Sequence, residues 1–113
     1  MHEVSLIESV ISLVEQERAK QAFARVNMIR LQVGALGCVE PEALRFCFEA
    51  VTTGTIAEGS RLEIEMVTGE GWCADCRGTV PLDERFGACP LCAGSHVRMT
   101  GGDALRLAEM EVE

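Results

Sequence analysis

The chain has 113 residues and a net charge of −8, from ten basic against eighteen acidic side chains, with four Phe, one Trp and no Tyr. That length suits one domain with a modest core. An acidic surface repels phosphate backbones, and so few aromatics give no stacking platform for single strands, which argues against nucleic acid as a partner. The first thirty residues lack a basic start followed by an apolar block and cleavage site, and no apolar run is long enough to span a bilayer, so a soluble, cytoplasmic protein with no membrane partner is expected.

Apolar residues at Val4, Ile7, Ile11 and Val14, widened by Leu6, Val10 and Leu13, fall at helical spacing and predict a first amphipathic helix. Ser5 and Glu8 can form a capping box, unless the helix begins slightly earlier. Either way His2 stands at its start. Ile29, Leu31 and Val33 then alternate with Arg30 and Gln32, the period of a strand with one buried face, until the GALG stretch breaks it.

Glu40-Pro41 reads as the beginning of a second helix, because proline lacks the N–H that a first turn leaves unpaired anyway. Leu44, Cys47, Phe48 and Val51 follow at helical spacing and Gly54 can end it. Leu62, Ile64 and Met66 alternate with charged residues in a second strand. From Gly69 to about Gly94 the chain becomes rich in Gly and Cys and too poor in aliphatics to fold alone. Val97 and Met99 suggest a short strand. Leu105 and Leu107 resume the alternation, which slips phase to Met110 and Val112 as at a bulge.

These elements predict an α+β fold: a small sheet with two amphipathic helices and an inserted four-cysteine zinc-ribbon lobe. Residues 1–68 plus 97–113 form the main domain in this reading, and 69–96 the metal-binding lobe.

Six cysteines in a reducing compartment are unlike disulfide staples, so clustered ones read as metal ligands or redox thiols. Cys73 and Cys76 are separated from Cys89 and Cys92 by a twelve-residue loop, the spacing of two knuckles closing one tetrahedral site. Soft thiolates match Zn(II), and four ligands leave no open coordination position, so the role is structural. An iron centre with an all-thiolate shell uses a similar set, and a dithiol redox pair is the other alternative, although the Gly- and Pro-rich turns lack its helical context. Cys47 falls on the apolar stripe of the second helix and reads as a core residue. Cys38 and His96 are less determined: His96 follows Cys92 by four positions and can hydrogen-bond a thiolate or serve as a solvated turn histidine.

The opening Met1-His2-Glu3 is a second candidate site. Bulky His2 leaves Met1 in place with a free α-amine, and that amine, the His2 imidazole and an ionised backbone amide between them bring three nitrogens together within two residues. Such nitrogen-rich sets suit Ni(II) or Cu(II), and Glu3 can add its amide nitrogen or a carboxylate oxygen. The alternative is an idle solvated chain end, and a helix N-terminus disfavours a bound cation.

The sequence resembles the HypA/HybF family of nickel metallochaperones for nickel-iron hydrogenases over nearly its whole length. The resemblance rests on Met1-His2-Glu3, on Val33-Gly34 and Val39-Glu40-Pro41-Glu42-Ala43-Leu44-Arg45-Phe46 through Phe48-Glu49, on Cys73, Cys76, Cys89 and Cys92, and on Gly102-Asp103-Ala104-Leu105-Arg106-Leu107. It implies Ni(II) as transient cargo at His2 and Glu3, with the Met1 amine possible, and Zn(II) on the four cysteines. It also implies a hydrogenase maturation GTPase and a hydrogenase large-subunit precursor as partners. Some relatives carry a histidine beside both cysteine pairs, whereas this chain has only His96, beside the second. No Ser-His-Asp set, phosphate loop or paired carboxylates suggest catalysis, so no enzyme activity is expected.

Overall fold

The apolar stripe that opens the chain forms a helix, α1 (His2–Gln21), in a computed structural model that describes residues 2–113. The helix starts before the Ser5–Glu8 pair, which therefore lies within it and forms no capping box; the Ser9 hydroxyl instead donates to the Ser5 carbonyl at 3.0 Å. Ile7, Val10 and Val14 are buried, and Leu13, at the margin of the stripe, is 44% exposed. Glu15–Arg18 and Glu17–Lys20 pairs at i,i+3 spacing carry the helix past the stripe.

Seven further elements follow: β1 (Val26–Gly34), α2 (Pro41–Thr52), β2 (Arg61–Val67), β3 (Gly69–Cys73), β4 (Gly78–Leu82), β5 (Val97–Gly101) and β6 (Leu105–Val112). Two three-stranded sheets result, ordered β2-β1-β6 and β4-β3-β5. The fold is α+β, as the residue pattern predicts, and it divides into two units that do not coincide with the expected boundaries.

The first unit comprises residues 1–32, 39–65 and 106–113. Here α1 packs on α2, and Val26, Met28, Ile29 and Leu31 of the central strand are buried, as are Leu44 and Phe48 of α2. Each such side chain contributes about 1.5–3 kcal/mol by leaving water. Thr52, the buried polar residue at the end of α2, is satisfied locally, its hydroxyl donating to the Phe48 carbonyl at 2.7 Å. The chain turns away just beyond at Gly54, whose φ of 82° favours a residue without Cβ. Cys47 is half-buried on this helix, less enclosed than its stripe position suggests.

A charge ladder crosses the solvent face of the first sheet. Arg30 on β1 reaches Glu63 on β2 at 2.9 Å and Glu109 on β6 at 2.6 Å, and Gln32 donates to Glu65 at 2.9 Å. Hydrogen bonds from Arg30, then from Arg61, hold the Glu63 carboxyl below its usual range. A carboxyl depressed in the folded state adds stability above its unfolded pKa and loses it as pH falls through the folded one. Denaturant midpoints measured through the acid range are therefore expected to fall less steeply for Glu63→Gln than for the parent. Parallel curves would show that the ladder carries none of the acid sensitivity.

The second unit comprises Val33–Cys38 and Met66–Leu105. It is wider than the 69–96 lobe expected from composition, for two physical reasons. Strand β5, expected to rejoin the first sheet, pairs antiparallel with β3, placing Val97 opposite Cys73 and packing it on the lobe's small core. The turn after β1 is also bound into this unit through backbone bonds Gly34 N–H to Ala104 O (2.9 Å), Ala35 N–H to Val67 O (2.8 Å) and Leu36 N–H to Gly102 O (2.8 Å). Arg85 Nε adds a bond to the Leu36 carbonyl at 2.9 Å. The approach is so close that a Cβ on Gly34 would lie 2.3 Å from the Gly102 backbone, so glycine is required there.

Candidate metal centres

Strands β3 and β4 form an antiparallel hairpin whose register puts Cys73 opposite Gly78, so the first CxxC pair occupies the hairpin turn. Pro81 lies on β4, an edge strand, where a missing N–H is tolerated. Cys89 and Cys92 form a second turn of the same design. In each pair the residue after the second cysteine takes a left-handed conformation, φ 54° at Arg77 and 59° at Ala93. In each, a backbone N–H points at the first sulfur, from Cys76 to Cys73 and from Leu91 to Cys89, both at 3.4 Å.

The two knuckles bring all four Sγ atoms within 4.8 Å of one another. Cys73 lies 3.7 Å from Cys92 and Cys76 lies 3.9 Å from Cys89. A zinc ion bound at about 2.3 Å by four tetrahedral sulfurs spaces them by about 3.8 Å, so the set fits the ion. Cys73 and Cys89 are buried while Cys76 and Cys92 face solvent, and the core next to the sulfurs is small, Val80 with Val97 against it, while Leu36 and Leu82 are buried elsewhere in the unit. Gly94 permits the closure, since a Cβ there would come 2.7 Å from Asp75 Oδ2 and 3.2 Å from Cys92 Sγ.

The electrostatics call for a cation. Burial opposes ionisation of Cys89, but N–H groups of Cys92 and Leu91 together with neighbouring thiols bring it down to about 7. Hydrogen bonding with the Cys92 and Cys73 thiols pushes Cys76 up to about 12. One sulfur ionises readily while its neighbour resists, and a cation bound among them would favour the ionised form of all four. Zinc held by these cysteines would supply a crosslink with no open position for chemistry. His96 is not among the converging ligands; its Nδ1 lies 3.1 Å from Asp75 Oδ2. Cys38 lies outside the cluster too, exposed and left-handed at φ 58°.

The second candidate centre belongs to the other unit. His2 and Glu3 open α1, with the His2 Nδ1 3.3 Å from Glu3 Oε2 and side-chain exposures of 54% and 18%. The Met1 amine, named above as a possible ligand, lies outside the described residues. The Glu3 carboxyl is held below its usual range by its own backbone N–H, against a cost of partial burial, and then by the N–H of Glu40 and the neighbouring His2. Glu40 caps α2 in extended conformation and has no side-chain cap bond of its own. Glu3 therefore meets the N-terminus of α2, where donors are otherwise unpaired. Sequence reasoning found both the Glu40-Pro41 helix start and Glu3, but nothing local links them.

A two-helix α+β unit joined in sequence to a ribbon of four converging thiolates defines a small metal-binding protein. A family model described as hydrogenase/urease nickel incorporation, metallochaperone, hypA matches residues 1–112. The chain belongs to this family of nickel metallochaperones, which serve hydrogenase maturation. It is 70% identical to the hydrogenase maturation factor HypA of Methylocella silvestris and 50% identical to that of Dechloromonas aromatica, over 113 residues covering 100% of both chains in each pair. The fold is similar to the solution structure of the Ni metallochaperone HypA from Helicobacter pylori, with a TM-score of 0.72 and 22% identity over 97% of this chain and 96% of that one. Among the described residues no helix is long and apolar enough to cross a membrane.

Proposed function

We propose that this protein is a carrier and not an enzyme: it takes up Ni(II) at His2 and Glu3 with the Met1 amine, and delivers it to a nickel-iron hydrogenase large-subunit precursor. A hydrogenase maturation GTPase acts with it in the cytoplasm, the cysteine lobe holding Zn(II) as a structural ion. Cysteines gathered as a metal-ligand set, in place of paired staples, suit a reducing compartment.

The observation that carries the reading is the exposed His2 imidazole beside Glu3 at the head of α1, in a member of a nickel-incorporation family. Imidazole and amine nitrogens with ionised amides suit Ni(II), and an exposed site with few ligands can release its ion to a recipient. Relatives named as hydrogenase maturation factors support the choice of recipient. The four-thiolate shell, closed and partly buried, is suited to holding its own ion through the transfer.

The test is nickel titration of native-start protein beside a form extended by one N-terminal glycine. The native form is expected to bind about one equivalent, and the extended form, its amine displaced, to lose that binding while keeping its zinc. Equal affinity in the two forms would refute the N-terminal site.

A further inference from the structure

Helix α2 buries Leu44, Phe48 and Thr52 and turns its opposite side to solvent. On that side stands Phe46, 86% exposed. A phenyl ring is costly to leave in water and carries a large contact area at little entropic expense, which is why exposed aromatics mark binding anchors. Nothing in the packing of α2 accounts for it.

The surroundings state what would cover it. Glu42 and Glu49 lie one turn to either side of Phe46 on the exposed face. Arg45, the only cation on the helix, has its guanidinium drawn to the Leu62 carbonyl at 3.1 Å. Glu49 also borders an open cleft of about 560 Å³, lined further by Phe48, Thr52, Glu58 and Leu62. The exposed side of α2 thus carries an apolar anchor between two carboxylates, and a partly apolar groove that Phe46 itself does not line opens beyond Glu49, with Glu58 and the committed Arg45 at its walls.

The geometry points to this face of α2 as the docking site for a basic amphipathic segment of a partner protein, an apolar side chain meeting Phe46 and flanking Lys or Arg meeting Glu42, Glu49 and Glu58. Charge complementarity selects that occupant. An acidic peptide, an anionic lipid surface or a nucleic acid is repelled, and a second copy of this chain brings the same carboxylates and a net charge of −8. A cation over the exposed ring gains a further attraction. The inference rests on α2 and the cleft beside it and stands whether or not nickel binds at His2.

The experiment titrates ¹⁵N-labelled full-length protein with a synthetic helical Leu/Lys peptide and with its Leu/Glu counterpart. Saturable shifts confined to α2 and the 58–62 segment are expected with the Leu/Lys peptide only, weakened by raised salt. Phe46→Ser and the double variant Glu42→Lys, Glu49→Lys should each bind at least about tenfold more weakly, while Phe46→Leu retains most of the affinity. All three altered residues are exposed, and unchanged circular dichroism and metal content will verify the fold. Shifts spread over the whole acidic surface, undiminished binding by Phe46→Ser, or equal binding of the Leu/Glu peptide would overturn the proposal. So would concentration-dependent dimerisation abolished by Phe46→Ser, which would assign the face to a second copy.

Discussion

Cys89→Ser is expected to cost the protein its bound metal and to unfold Met66–Leu105, with the helical signal of α1 and α2 kept. The cluster around the cysteines is Cys73, Val80 and Cys89 with Val97 packed on it, and Val33, Leu36 and Leu82 are the other buried apolar side chains of the unit. Two of these, Cys73 and Cys89, belong to the four-sulfur cluster itself. Fixing the backbone costs about 1–2 kcal/mol per residue, and burial of so few side chains, at about 1.5–3 kcal/mol each, does not offset this over forty residues. A structural zinc contributes about 10–16 kcal/mol in small domains, so such an ion held by these cysteines would be the principal stabilising contact of the lobe. Metal content by mass spectrometry and amide dispersion by NMR measure the result. Cys47→Ser, altering a half-buried thiol outside the cluster, should retain about one equivalent of zinc. Dispersed lobe amides with full metal content in Cys89→Ser would mean that the four sulfurs are not what closes the lobe.

His2→Ala is expected to weaken Ni(II) binding by at least about a hundredfold without changing zinc content. Losing a residue that merely supports a ligand costs ten- to a hundredfold, and removing a nitrogen ligand from a set of few costs more. The imidazole is exposed, so its removal disturbs no core. Glu3→Gln should do less to affinity than His2→Ala if the carboxylate's main role is to meet the Glu40 N–H, because the amide oxygen can still accept that bond. Isothermal titration of tag-free protein distinguishes the two, and a His2→Ala variant with parental nickel affinity would remove His2 from the site.

The two signals differ in how far they reach along the chain, and that difference governs what was legible. A CxxC turn places both its sulfurs within one local bend, so two such pairs identify four ligands before any fold is known. The Met1-His2-Glu3 stretch is equally local. Pairing across strands is not. On β3 the inward positions before Cys73 are Gly69 and Gly71, which carry no side-chain signal, and on β4 only Val80 and Leu82 alternate, too short a run to mark the hairpin from sequence. Strand β5 was visible as a strand through Val97 and Met99, but its pairing partner was misjudged, since an edge strand's choice of sheet depends on which surface its side chains can cover.

The sequence by itself determined both helices, the strands β1, β2 and β6, the four cysteines that converge and the candidate terminal chelate, because helical or alternating spacing and short-range turns are properties of neighbouring residues. Tertiary structure decided the rest. It bound Val33–Cys38 to the cysteine unit through backbone hydrogen bonds that leave no side-chain signature, brought Glu3 to the head of α2, and left Phe46 uncovered on that helix. Each depends on segments distant in sequence meeting in space, or failing to meet, and no local pattern encodes that.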